Sequence, residues 1–263
     1  MKIAIISDIH SNPTALNAVL KDAAKKECSR VVCLGDIVGY GYDPNTCIDI
    51  VRDRNIECFL GNHDAGLIGK LSLNWFNGFA KNAILRQRPL VTDDNKKWLE
   101  SLPYTKVEGA EDEFAYAFTH GELMNPENFD YIQGYSDAVY ETHYMKEKKI
   151  EVLFIGHTHS ANIFFLDNDY RISETFIDLE DEATYDLSRY KKSIVNVGSC
   201  GYPRNQPYII YGIYETTTHE FYHRIMPFDF EDYIVQMKEA GAEIPLWIQS
   251  QKTRAEERQI GFR

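Results

Sequence analysis

Asp8-Ile9-His10 and Gly156-His157-Thr158-His159 each set two metal-binding side chains two residues apart. In extended chain that spacing turns both side chains to one side. Between the two segments lie Gly35-Asp36, Gly61-Asn62-His63-Asp64 and His120-Gly121. The set combines carboxylates, an amide and imidazoles, without a thiolate. Oxygen and nitrogen donors in that mixture suit Mn, Fe, Zn or Ni better than Ca or a soft metal. Asp8 and His10 can converge on one ion. His157 and His159 can reach the same cleft, one ion each. Two-metal hydrolases hold their ions about 3.5–4 Å apart. Asp36 stands alone after its apolar segment and is the natural carboxylate to bridge them. The chemistry expected of such a pair is hydrolysis by a metal-activated water.

These residues share a site only if the elements before them end in one place. Lys2 to Ser7 is an apolar run that reads as a strand buried on both faces. Asn12-Pro13 starts a helix with Leu16, Val19, Leu20 and Ala23 on one side. Val31 to Leu34 is a second strand, Asp43-Pro44 starts a second helix, and Ile56 to Leu60 is a third strand. This β-α-β-α-β order predicts parallel strands with right-handed crossovers. Residues 65–103 read as mostly helical, with Trp75, Phe76, Phe79 and Ala83 on one stripe and Thr92 as a cap. Residues 108–112 form a polar turn, 114–119 a strand, and 136–148 a helix. Strands follow at 152–156, 161–166, 170–177 and 193–197, with a hairpin near 208–225. The tail from Phe230 reads as two helices broken near Pro245. Each candidate ligand then falls at the carboxyl end of a strand, where open α/β sheets bind their ligands.

Composition removes several function classes. The formal net charge is −12, and no basic stripe interleaved with aromatics offers itself to a nucleic-acid duplex. Two bound cations would reverse the local sign in one cleft, so an anionic substrate stays open. Five cysteines, an odd number with no C-x-x-C pair, read as free thiols in a reducing compartment. Asp8 interrupts the first apolar run too early for a signal peptide, and no apolar run of about 18 residues exists to span a membrane. A cytoplasmic protein is expected.

The order Asp8-x-His10, Gly35-Asp36, Gly61-Asn62-His63-Asp64, His120 and Gly156-His157-x-His159 resembles the calcineurin-like metallophosphoesterase superfamily. Asn196-Val197-Gly198-Ser199 is similar to a loop of small prokaryotic members. The resemblance implies an α/β (α+β) fold, a four-layer α-β-β-α sandwich of two mixed sheets. It places the catalytic domain at about residues 1–225, with a helical insertion at about 65–103 and a helical tail at 226–263. It implies that Asp8, His10 and His159 hold one divalent or trivalent ion. Asn62, His120 and His157 hold the other, and Asp36 bridges. His63 matches the motif histidine that stabilises the transition state or protonates the leaving oxygen, oriented by Asp64. One departure is informative. Protein Ser/Thr phosphatases and symmetrically cleaving diadenosine tetraphosphatases carry an Asp-Arg-Gly after the second motif and an Arg before Gly-Asn-His. Here the chain reads Gly35-Asp36-Ile37-Val38-Gly39-Tyr40-Gly41 and Phe59-Leu60-Gly61. It looks instead like a prokaryotic subgroup associated with phosphodiester and dinucleoside polyphosphate cleavage.

The substrate expected is a small phosphorylated molecule, with a nucleotide among the candidates. Asn12 is placed to contact phosphate or to cap its helix. Arg204 is placed to hold a second phosphate or to lie in a solvated loop. Tyr40, Tyr42, Trp75, Phe76 and Tyr202 are candidates to stack a base, though the shared stripe assigns Trp75 and Phe76 to the core. The leading expectation is a phosphodiesterase or nucleotide-polyphosphate hydrolase. A phosphomonoesterase is the alternative, and a non-catalytic scaffold is disfavoured because no ligand is missing. Whether the tail packs on its own sheet or on a second subunit is open.

Overall fold

The alternation of apolar runs and capped helices at the start of the chain produces the expected β-α-β-α-β unit. The computed structural model describes residues 1–109, 114–169, 171–176, 183–204, 208–245 and 248. Lys2–Ile6 is β1, Pro13–Lys25 α1, Arg30–Cys33 β2, Pro44–Asp53 α2 and Glu57–Cys58 β3. Both helices begin at a polar cap. The Asn12 side-chain oxygen accepts from the Ala15 amide, and Asp43 accepts from the Thr46 amide. Each cap satisfies an amide that the first helical turn leaves unpaired. β3 is shorter than the 56–60 run expected, because the Leu60 amide turns away to donate to Pro103 O.

Next come α3 (Asn62–Ile68), a 3₁₀ turn at Leu73–Trp75, α4 (Gly78–Gln87) and α5 (Asp93–Glu100). The stripe expected through Trp75, Phe76, Phe79 and Ala83 is broken. The Asn77 side chain accepts from the Ala80 amide and starts α4 there, so Trp75 and Phe76 precede the helix. Phe76 is buried, whereas Trp75 is 40% exposed. The remaining elements are β4 (Thr105–Glu108), β5 (Tyr116–Thr119), α6 (Tyr135–Lys148), β6 (Val152–Ile155), β7 (Asn162–Leu166), β8 (Ile172–Phe176) and β9 (Thr184–Asp186). They are followed by β10 (Lys192–Asn196), β11 (Tyr208–Glu215), β12 (Glu220–Pro227) and α7 (Phe230–Glu239). The end of the polar turn at 110–112 lies outside the described residues. So does the second tail helix expected beyond Pro245, apart from the buried Ile248.

The strands form two mixed six-stranded sheets, ordered β3-β2-β1-β11-β12-β9 and β4-β5-β6-β10-β7-β8. β1, β2 and β3 run parallel, as do β5, β6 and β10, while β11 runs antiparallel to β1. Side chains alternate between two covered faces. Ile3, Ile5, Val32 and Leu34 of the first sheet meet Phe118, Val152, Phe154 and Val195 of the second. Ala4, Ile6 and Cys33 face the other way, with Leu16 and Val19 of α1 and Ile48 and Val51 of α2. Leu153, Ile155 and Ile194 pack with Ala138 and Met145 of α6. The result is a four-layer α-β-β-α sandwich, with apolar strands because both faces of each are covered. Phe230, Tyr233 and Met237 of α7 join the core of α1 and α2. The start of the tail therefore packs on its own domain.

Glu141 is a polar exception on the buried face of α6. It is 3% exposed, accepts from the Leu123 amide through Oε2, and has no partner for Oε1 among the described residues. Burial pushes its carboxyl from the ordinary 4.5 up to about 7. The folded chain therefore holds a proton between those values that the unfolded chain has lost, and stability falls as pH rises across that interval. Glu141→Gln is expected to raise the melting temperature at pH 8, by up to roughly 3 kcal/mol of stability, with no gain at pH 4. Thermal melts of both proteins at the two pH values check this.

Candidate metal centre

Every strand-end cluster arrives at one end of the sandwich because the loops are bonded to one another. Asp8 N donates to Gly35 O and His10 N to Asp36 O, which continues the β1–β2 pairing past the strands. Gly156 N donates to His120 O, which joins the loops after β5 and β6. The two sheets are then stitched together: His157 N donates to Asp8 Oδ2, and Ser199 Oγ donates to Asp8 O. The Asn196 amide donates to Gly156 O and to Thr158 Oγ1, which fixes the His157-Thr158-His159 turn.

Asp8, His10, Asp36, Asn62, His120, His157 and His159 are each at most 3% exposed. Five of them sit in left-handed backbone: Asp8 (φ 55°), His10 (46°), Asp36 (55°), His157 (66°) and His159 (61°). Asp and His tolerate this region better than most residues, yet each such residue still costs of order 1 kcal/mol. Strain repeated at one spot marks a constellation that the rest of the fold over-determines.

The side chains form three overlapping groups of donors: Asp8, His10 and His159; His10, Asp36 and His63; and Asp36, His120 and His157. Within each group the donor atoms lie within 4.8 Å of one another. Asn62 Oδ1 adds to the last group, 3.1 Å from His120 Nε2. His10 Nδ1 bonds Val38 O at 2.9 Å, His159 Nδ1 bonds Tyr202 O at 2.6 Å, and His120 Nδ1 bonds Leu34 O at 3.2 Å. A carbonyl on one ring nitrogen demands the proton there and leaves the other nitrogen as a lone pair. His157 is turned over: its Nε2 bonds Phe129 O at 2.9 Å, which frees Nδ1.

A cation fits this arrangement. His10 Nε2 and His159 Nε2 face each other at 3.1 Å, and Asp8 Oδ1 stands 3.2 Å from His159 Nε2. That oxygen is buried with no hydrogen-bond partner among the described residues. Three lone-pair donors on one point, with their protons spent elsewhere, require a positive charge between them. Asp36 Oδ2 lies 3.6 Å from His10 Nε2 and 3.3 Å from His120 Nε2, so it serves both ends of the cluster. Burial alone would raise the Asp8 and Asp36 carboxyls, but the facing imidazoles hold both below the usual range. Burial lowers His157 and His159, whereas Asp36 overcomes burial at His120 and raises it to about 9.

His63 lies among the ligands, its ring 4.8 Å from that of His10, 4.6 Å from Tyr40 and 5.2 Å from Phe76. Burial lowers it to about 3, so the imidazole is neutral at physiological pH. Its Nδ1 is buried with no partner among the described residues. Asp64, expected to orient His63, makes its hydrogen bonds with the backbone. The Asp64 carboxylate accepts from the amides of Ile37, Val38 and Gly61, and so fixes the loop carrying Asp36. Three backbone donors converge on it, and they decide where it points. Asn12 takes the capping role of the two expected for it. Its oxygen caps α1, and its nitrogen donates to Gly201 O, so its hydrogen bonds serve the backbone. Arg204 is half-buried; its Nη2 donates to Tyr40 Oη at 3.1 Å, and its charge acts on Asp8, Tyr131 and Tyr202.

Two residues that shape the site were not read from the sequence. Gln87 accepts from Gly39 N and Ser11 Oγ and donates to Gly41 O, so α4 holds the loop beside His63. Its signal was available: it follows Ala80, Ala83 and Ile84 at helical spacing on a buried face. Tyr131 stacks on His157 at 3.9 Å and 8°. It lies outside any motif and carries no local signal.

The calcineurin-like phosphoesterase superfamily domain matches residues 1–219. An uncharacterized protein of Methanocaldococcus jannaschii is 37% identical over 204 residues, 77% of each chain. The crystal structure of a metallophosphoesterase from Sphaerobacter thermophilus is similar at 31% identity and a TM-score of 0.77, covering 92% of this chain and 95% of that one. A protein from Pyrococcus horikoshii shares the fold at 18% identity and a TM-score of 0.71, covering 94% and 95%.

Proposed function

The chain belongs to the calcineurin-like phosphoesterase superfamily and is a metal-dependent phosphoric ester hydrolase; from that premise we propose that it cleaves a phosphodiester or a nucleotide or dinucleoside polyphosphate with two ions. The observation that carries the two-ion reading is the sharing of Asp36 between two buried donor groups. Asp8, His10 and His159 would hold one ion, Asn62, His120 and His157 the other, and Asp36 both. The chemistry that the ions supply when bound is a nucleophilic water at neutral pH and neutralised phosphoryl charge.

The chain's own groups do the rest. Arg204 donates to a non-bridging phosphoryl oxygen, with Tyr40 Oη holding the guanidinium in place. His63, neutral and with Nδ1 unpartnered among the described residues, hydrogen-bonds the leaving oxygen. Asp64 keeps the Asp36 loop rigid through its three amide bonds. Aromatic rings flank both ends of the cluster. Tyr40 and Tyr202 stack at 4.2 Å beside His10 and His159, and Tyr131 and Trp75 lie beside His157. Of these rings Trp75 and Tyr131 are exposed, which suits a phosphorus carrying an organic group at the His157 end. All five cysteines are free and four are buried, which supports a reducing compartment such as the cytoplasm. Among the described residues no helix is long and apolar enough to cross a membrane.

The test compares bis-p-nitrophenyl phosphate with p-nitrophenyl phosphate under added manganese. Faster release from the bis ester is expected. Release from the monoester alone would replace this reading with a phosphomonoesterase. Arg204→Ala is expected to lower kcat/KM for the preferred ester about 10²-fold while bound metal, measured on the same preparation, stays unchanged.

A further inference from the structure

Trp75 and Tyr131 are large aromatic residues left exposed beside an ion ligand, at 40% and 36%. Their rings and that of His157 are nearly parallel. Tyr131 lies 8° from His157, Trp75 lies 25° from His157, and Trp75 and Tyr131 differ by 18°. Both positions are held by their surroundings. Phe129 is buried, takes a positive φ of 57°, and presents its carbonyl to His157 Nε2. A bulky residue in left-handed backbone is uncommon, and here it sets the turn that carries Tyr131 over the imidazole. Trp75 is fixed by the Ser72-capped 3₁₀ turn and by edge contact with Phe76, itself packed on His63. Burial raises the Tyr131 hydroxyl, and the Arg204 charge acts against it.

We propose that Trp75 and Tyr131 form a platform on which a nucleobase of the substrate stacks, beside the ion held by His157. The proposal rests on the reading of the cluster as a phosphate-binding centre and narrows its substrate to nucleotides. A flat base covers both exposed ring faces while its phosphate reaches the cluster. Aromatic stacking tolerates any base, so the platform gives class specificity and no sequence reading.

Isothermal titration of the manganese-loaded protein with adenosine monophosphate and with ribose 5-phosphate isolates the base, since the two ligands share sugar and phosphate. The wild type is expected to bind the nucleotide about tenfold more tightly. Trp75→Leu and Tyr131→Leu should each bring the nucleotide close to the affinity of ribose 5-phosphate, which itself is unchanged. Tyr131→Phe should keep the preference. Equal affinities in the wild type, or a preference that survives both leucine variants, would overturn the platform. Binding of neither ligand would overturn it together with the phosphate-centre reading. A retained preference in a protein that hydrolyses no ester would leave the platform standing and remove the proposed activity.

Discussion

Asp36→Ala is expected to lower turnover by at least about 10³-fold and to strip the protein of both ions, a larger loss than any other single ligand replacement. Of the other candidate ligands only His10 falls in two donor groups, and neither of them reaches His120 or His157 at the far end. Asp36 serves both ends, with Oδ2 facing His10 Nε2 and His120 Nε2. Its Oδ1 also accepts from the His63 amide at 2.8 Å, so the substitution releases the start of α3 as well. Removing one preorganised donor at a reacting group already costs about 10²–10³-fold, and here the group that assembles two donor sets is lost. The checks are kcat on the preferred ester and metal content by mass spectrometry, with folding verified by circular dichroism. A variant that keeps full activity would remove Asp36 from the centre of the mechanism.

Gly61→Ala is expected to behave almost as badly without removing any ligand. Gly61 has an ordinary φ of −92°, so any cost of alanine comes from space and not from backbone conformation. A Cβ there would strike the Asp36 amide and Oδ1 and come within 2.9 Å of Asp36 Cα. The opposite glycine is equally tight, since a Cβ on Gly35 would come within 2.6 Å of Gly61 N. The ends of β2 and β3 thus meet backbone to backbone. Alanine must push Asp36 away from the cluster or separate the two loops. A stability loss of about 1–3 kcal/mol is expected from overpacking. Metal affinity should fall at least 10- to 100-fold, the loss typical of disturbing a ligand's support. Gly78→Ala is the control, because a Cβ there meets nothing within 4 Å. Equal metal affinity in the two variants would show that the close approach is not what seats Asp36.

The clustering of the candidate ligands was legible because each lies in a short motif directly after an apolar strand, and because strand order brings strand ends together. Asn12 and Asp43 were legible as caps for the same local reason. What escaped was either short or distant. β4 and β9 are edge strands of four and three residues, too brief to show a period. Trp75 was assigned to a stripe because periodicity ran through Asn77, where a cap in fact starts a new helix. Asp64 was tied to His63 by the family resemblance, whereas two amides of the loop after β2 and the Gly61 amide at its own helix start claim it. Tyr131 stands 26 residues before its partner His157 and meets it only through tertiary packing.

A crystal grown with manganese and measured at its absorption edge tests the two-ion centre most directly. Two anomalous peaks are expected, one contacting Asp8, His10 and His159 and one contacting Asn62, His120 and His157, with Asp36 touching both. A single peak, or two peaks that do not share Asp36, would contradict it.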